Sequence, residues 1–243
     1  MKDRPPSPSP VGVVAAAGLA AGVVVGLLVL VVVGPLAGLI ALVVVAVAVA
    51  VACWLAAGAV VLRLVGGARP LLSDPGPARL ANLVESVALA VGIPEPTLLV
   101  RQDPAPNALV TGRDPRRAAL VVTSGLLDRL DRLALEAVVA QQLSLIRDGS
   151  TRRRDVAVAV LGTTGQLIPP LGRLAARAAA PERGADVAAV TVTRYPPGLL
   201  SALEAVAAGP EVRSSPAVAP LWFVPPGSAQ ELALRVETMR ELV

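Results

Sequence analysis

The chain has 243 residues, 22 Lys and Arg against 18 Asp and Glu, one cysteine and no histidine. The missing histidine excludes Ser–His–Asp and Cys–His catalysis, and the lone Cys53 excludes an internal disulfide or a thiolate metal cluster. Hydrophobic residues make up 54%, unusually many for a soluble domain, while 2% aromatics leave little to stack on bases, which argues against nucleic-acid binding.

Residues 1–10, containing "KDRPPSPSP", are read as a disordered tail. Residues 11–33 and 36–62 are two uncharged runs, each longer than the roughly 20 residues a helix needs to cross a bilayer's hydrocarbon core. Strands are excluded there because an open strand leaves its backbone unsatisfied in lipid. Gly34-Pro35 closes the runs into a hairpin, so residues 11–64 are read as two transmembrane helices. Lys2 and Arg4 precede the first span, Arg63 and Arg69 follow the second, and the turn is uncharged. Positive residues stay on the cytoplasmic side, which places both termini and everything after the hairpin in the cytoplasm. Residues 65–77 are read as a linker and 78–243 as the cytoplasmic domain.

Within that domain, the apolar spacing of residues 78–91 predicts an amphipathic helix ended by "GIPEP". "TLLVR" (97–101) and "AALVVT" (118–123) read as strands, with "NALVTG" (107–112) an edge-like strand between them. Helices follow at 124–130 and 133–147. Residues 155–161 are apolar but too short for a third span. Residues 173–193 read as two helical pieces broken near Pro181 and Gly184. Residues 196–208 form a helix with proline in its first turn, "PLWFV" (220–224) a strand or loop, and 229–242 the last helix. Arg113, Arg116, Arg117 and the run Arg152–Arg153–Arg154 are assigned to anionic lipid headgroups. The only lysine, Lys2, lies in the tail, which leaves no serine–lysine dyad, and no phosphate-binding or dinucleotide fingerprint is present.

Several stretches occur together and in order: "GARPL", "ARLANLVESVALAVGIPEP", "DPAPNALVTGRDPRRAALVVTSGLLDRL", "LEAVVAQQLSLI", "ERGAD", "TRYPPGLLSALE" and "LRVETMREL". In this arrangement the chain resembles the HtpX-like membrane zinc endopeptidases, relatives of the CAAX prenyl protease, over nearly its whole length. The resemblance implies a bacterial inner-membrane protein of α+β class. Its N-terminal transmembrane hairpin would be followed by a mostly helical, zincin-like domain with a small sheet. In that family an HExxH helix supplies two zinc-binding histidines and a general base, and a downstream E-x-x-x-D supplies the third protein ligand and a supporting carboxylate. Carried onto "AQQLSLI", the zinc positions fall on Gln141 and Leu145 and the general-base position on Gln142; Glu182 takes the third zinc position and Asp186 the supporting one. The edge strand that holds peptide substrates by β-addition corresponds to Asn107, Ala108, Leu109, Val110, Thr111 and Gly112.

The residue chemistry contradicts the activity that the resemblance implies. An amide oxygen is a poor zinc donor beside imidazole, leucine offers none, and glutamine cannot take a proton from water. No bound cofactor is therefore expected. The leading reading is a catalytically inactive homologue, a pseudopeptidase, that binds or scaffolds membrane proteins or peptide segments in the bilayer. The alternatives are an active endopeptidase whose metal is held by Gln141 and Glu182 with a further carboxylate such as Asp186 or Asp148, or a purely structural assembly protein. The former cleft is either retained as a groove or collapsed into core around Leu145. Tyr195, in "RYPPGL", is read as packing ahead of its helix, with oxyanion stabilisation as the alternative.

Overall fold

The computed structural model of the chain describes residues 10–70, 75–162, 178–179 and 184–243. The chain falls into two compact units, Met1–Val61 with Arg152–Ala180, and Leu62–Thr151 with Pro181–Val243.

The first unit holds the hairpin. Helix α1 (Pro10–Val32) is followed by α2 (Pro35–Val65), both long and apolar enough to cross a membrane. Gly34, at φ +124°, makes the turn in a conformation open to glycine, and Pro35 begins α2 where its missing N–H costs nothing. Helices in lipid gain nothing from apolar burial against each other, so close backbone packing has to hold them. Gly18, Gly22 and Gly26 provide it, one turn apart on the side of α1 that meets α2. A Cβ on Gly18 would stand 2.3 Å from the Ala46 carbonyl oxygen, and one on Gly22 2.4 Å from that of Leu42.

Helix α6 (Ser150–Gly162) enters this unit at Arg152. The three arginines assigned to headgroups diverge, because successive helical residues point about 100° apart. Arg152 is exposed and lies over the Trp54 ring at 4.6 Å, whereas Arg154 is buried together with Asp155. Burial pulls the Arg154 guanidinium down to about 10; Asp155's charge opposes this and Arg153's adds to it. Arg154 is thus a core residue and no headgroup contact.

The second unit is an α+β domain, as the sequence reading expected. Its sheet combines β1 (Ala68–Pro70), β2 (Thr97–Arg101), β3 (Ala108–Thr111) and β4 (Ala119–Thr123) in the order β1-β2-β4-β3. Strands β2 and β4 run parallel, and β3 is antiparallel to β4 with Leu109 opposite Val121. The stretch read as a linker contributes two elements. Strand β1 pairs antiparallel with β2, and α3 (Pro75–Val91) starts three residues before the expected 78.

After β4, Thr123 caps the short α4 (Ser124–Arg129) by accepting from the Leu126 N–H. Helix α5 (Arg132–Arg147) follows, with Asp131 Oδ1 accepting from the Ala134 N–H at 2.8 Å. Three more helices, α7 (Ala185–Thr193), α8 (Pro196–Ala207) and α9 (Ala229–Arg240), complete the described residues of this unit. Helix α5 packs against α3, α7, α8 and β3, so it is the axis of the core. "PLWFV" resolves into a 3-10 turn, Ala219–Leu221, and an extended strap.

The glycine stripe yields a prediction. Gly22→Leu is expected to destabilise the hairpin by about 1–3 kcal/mol, since the added side chain meets the Leu42 carbonyl and the short, rigid Ala46 with no flexible group to displace. Ala15→Leu, at an exposed position of α1, is expected to be silent in the same thermal unfolding series in detergent.

Candidate functional site

Gln141, Gln142 and Leu145 lie in the middle of α5 and are 6%, 1% and 4% exposed. Gln142 Nε2 donates to Gln141 Oε1, so the two amides are joined. Gln142 Oε1 is buried and accepts no hydrogen bond. One turn on, Leu145 belongs to the apolar core. The face that the resemblance assigns to a metal is therefore buried and neutral.

Asp186, in the first turn of α7, is held by a planar fork. Arg235 of α9 donates through Nε to Asp186 Oδ2 at 2.7 Å and through Nη2 to Oδ1 at 2.8 Å. Its remaining arm, Nη1, donates to the Phe223 carbonyl at 2.8 Å, and the guanidinium lies 4.9 Å from the centre of the Phe223 ring. Such bidentate geometry is the strong form of the ion pair, and these side chains are mostly buried.

Phe223 connects this ion pair to the edge strand. Its N–H donates to the Ala108 carbonyl at 2.7 Å. The next residue, Val224, accepts from Asn107 Nδ2 at 2.7 Å and donates to Asn107 Oδ1 at 3.2 Å. Asn107 Oδ1 also accepts from the Ala108 N–H, and the Asn107 backbone is locked to Thr123 Oγ1 on both sides at 2.9 Å. One buried asparagine thus joins the edge strand, β4 and the strap.

Strand β3 is the outer strand of the described sheet and buried along its length. The bond from Thr123 N to the Asn107 carbonyl sets the ladder's phase. The alternation of antiparallel pairing then turns the main-chain groups of Ala108 and Val110 away from β4. The strap covers the Ala108 position, and Val110 is the next residue of the strand that faces the same way.

Tyr195 begins α8 with its ring beside Gly198 and is 44% exposed, a surface position. Glu182 lies outside the described residues. The structure therefore gathers Gln141, Gln142 and Leu145 on one buried helix face and Asn107 to Thr111 on an edge strand that packs against it. It gives Asp186 to Arg235. Sequence reasoning missed Arg235 and the strap, although both lie in stretches it had noted, "LRVETMREL" and "PLWFV".

Comparison with known proteins bears on this constellation. Residues 77–203 match peptidase family M48, more than half of the chain. The chain is an HtpX-like member of peptidase family M48. Proteins named Protease HtpX homolog align with it from Dictyoglomus thermophilum, at 38% identity over 60% of this chain and 60% of the relative, and from Dictyoglomus turgidum, at 37% over 63% and 62%. The homolog from Tropheryma whipplei is 30% identical over 67% of this chain and 68% of its own length. The chain thus spans about three-fifths of the length of the first two relatives.

A zinc ion, which the HtpX-like resemblance implies, does not fit the residues present on α5. The one amide oxygen at a ligand position, Gln141 Oε1, is already engaged by Gln142; Leu145 has no donor atom; and no histidine exists to replace either.

The Asp186–Arg235 fork carries the next prediction. Arg235→Gln leaves a mostly buried carboxylate without its cation and releases the strap carbonyl. An expected loss of about 2 kcal/mol, discounted from a fully buried pair for partial exposure, would be read from the shift in denaturant midpoint.

Proposed function

We propose that this M48 homologue is catalytically inactive and acts by binding, as a membrane-anchored scaffold for membrane proteins or their peptide segments. Two candidate spans near the N-terminus support membrane association. We further infer that both ends of the chain and the α+β domain lie on the cytoplasmic side, from the arginines and the lysine flanking the hairpin. The observation that carries the inactive reading is the buried, mutually bonded pair Gln141–Gln142 beside Leu145. Amide hydrolysis by a zincin needs a metal-polarised water and a base to deprotonate it. Neither amide titrates in the useful range, and Leu145 leaves a hydrocarbon where the second donor atom on α5 belongs.

An active enzyme with substitute ligands is the competing reading, and the geometry disfavours it. Asp186 is committed to Arg235 through both oxygens. Asp148 sits beyond the end of α5, paired with Arg147 and half exposed. It is seven residues from Gln141, about 10 Å along the axis. A purely structural assembly role draws support from the burial of β3 and of the α5 face, since both surfaces are covered.

The purified full chain is expected to carry no stoichiometric zinc by elemental analysis and to show no chelator-sensitive cleavage of an unfolded substrate; both present together would overturn the reading. The triple variant Gln141→His, Gln142→Glu and Leu145→His is expected to take up zinc. A folded variant without zinc would show that the third ligand no longer reaches the α5 face.

Peptide capture is tested separately from inactivity. Val110→Pro deletes a main-chain donor that faces away from β4 and leaves the ladder intact. Capture of an unfolded segment by the full chain is expected to weaken. Unchanged capture would move the function from the strand edge to the assembly role.

A further inference from the structure

Helix α2 is longer than a bilayer needs. Its 31 residues extend about 46 Å at 1.5 Å per residue, against a hydrocarbon core of about 30 Å. Measured from Pro35 at the hairpin turn, about 30 Å is reached at Trp54. Three independent features meet at that level. One side of α2 keeps large apolar side chains exposed from Leu36 through Leu55, but from Ala57 onward one side of the helix, Ala57, Val61 and Val65, is buried. The glycine contacts set the hairpin register, with Gly18 against Ala46 and Ala50, and Gly22 against Leu42 and Ala46. Continued by one to two turns, that register brings Trp54 level with the first turn of α1, which begins at Pro10. Indole rings also favour the water boundary of a bilayer, where one side of the ring meets apolar chains and the N–H meets water.

At this boundary the exposed guanidinium of Arg152 lies 4.6 Å from the centre of the Trp54 ring. A ring face attracts the cation but offers its N–H groups no carboxylate or phosphate oxygen to bond. Among the described residues no carboxylate pairs with Arg152. Of its neighbours, Arg153 is half-buried and Arg154 is buried, so Arg152 is the exposed arginine of the run. A planar guanidinium is suited to bidentate contact with a phosphate diester.

We propose that Trp54 and Arg152 form a binding site for the phosphate of an anionic phospholipid at the membrane–water boundary. The site rests on the membrane hairpin and is independent of any peptide binding or catalysis. The lipid headgroup completes the cation that the indole only half covers, and the acyl chains run along the exposed apolar side of α2 toward the hairpin turn. The boundary then falls near Trp54, and the last two to three turns of α2 stand outside the hydrocarbon.

The test uses the full chain in detergent, titrated with short-chain phosphatidylglycerol and followed by tryptophan emission; a Trp54→Phe variant identifies the part of the signal that belongs to Trp54. One arginine near an anionic surface is worth about fivefold in affinity. Arg152→Gln is therefore expected to weaken binding about fivefold, whereas Arg117→Gln, an exposed arginine of the other unit, is expected to leave it unchanged. Equal binding by wild type and Arg152→Gln overturns the site, as does displacement of the lipid by inorganic phosphate at the same concentration. In bilayers, lipids brominated near the headgroup are expected to quench Trp54 more strongly than lipids brominated near the chain ends. The reverse order would set the boundary near Arg63 and overturn the placement.

Discussion

In a helix buried almost without a break from Ala134 to Ile146 an unmet polar group such as Gln142 Oε1 is costly, and a charge costs far more. That constraint governs the centre of this domain. A glutamate at position 142 without a metal would be a carboxylate in a site 1% exposed, costing several kcal/mol or remaining protonated. Glutamine is close to glutamate in shape, carries no charge and can donate to its neighbour, as Gln142 does to Gln141. Leucine at 145 adds about 1.5–3 kcal/mol of apolar burial. On the proposed reading the three residues act together, forming a neutral core layer at positions where a charged site would need an ion.

The carboxylate that stays charged is Asp186, and its treatment follows the same physics. It is held by Arg235, whose third contact fixes the Phe223 carbonyl and with it the strap beside Asn107. The ion pair is thereby joined to the edge strand, so the geometry of β3 does not depend on a metal at α5. This explains how the frame persists around an altered centre. Thr123, Asn107, Val224, Phe223, Arg235 and Asp186 form a continuous polar chain, and none of them lies on α5.

Local pattern made much of this legible. Two long apolar runs with a Gly-Pro between them, the strand at 97–101 and the helix read at 133–147 are all determined within a few residues. What was hidden depends on partners distant in sequence. Ala68–Pro70 has no alternation of its own and becomes a strand only because Arg101 to Leu99 lie opposite it. Arg235 is 49 residues from Asp186, and in sequence it looks like any arginine on a solvated helix. The arginine run at 152–154 read as uniformly basic because composition does not record helical direction, which turns Arg154 inward. At the candidate site, residue identities gave the chemistry of Gln141, Gln142 and Leu145, but their burial required the packing of α3, α7 and α8 around α5.

The two units answer different solvents with different devices, and this separates anchoring from whatever the domain binds. In the hairpin, where apolar contact between helices is worth little in lipid, association rests on removing side chains: three glycines on α1 let the backbone of α2 come within contact of its own. In the domain, association rests on burying side chains, with Leu120, Leu143, Leu199 and Leu203 among the fully buried ones. An added methyl is therefore destabilising at the hairpin interface, while a removed one is destabilising in the core. The residues at the centre of α5 take no part in the glycine contact or in the length of α2, so the anchor does not depend on what α5 does. The hairpin and the strap-bound edge strand therefore stand on contacts separate from the centre of α5, which is why the proposed loss of cutting is compatible with a role in holding.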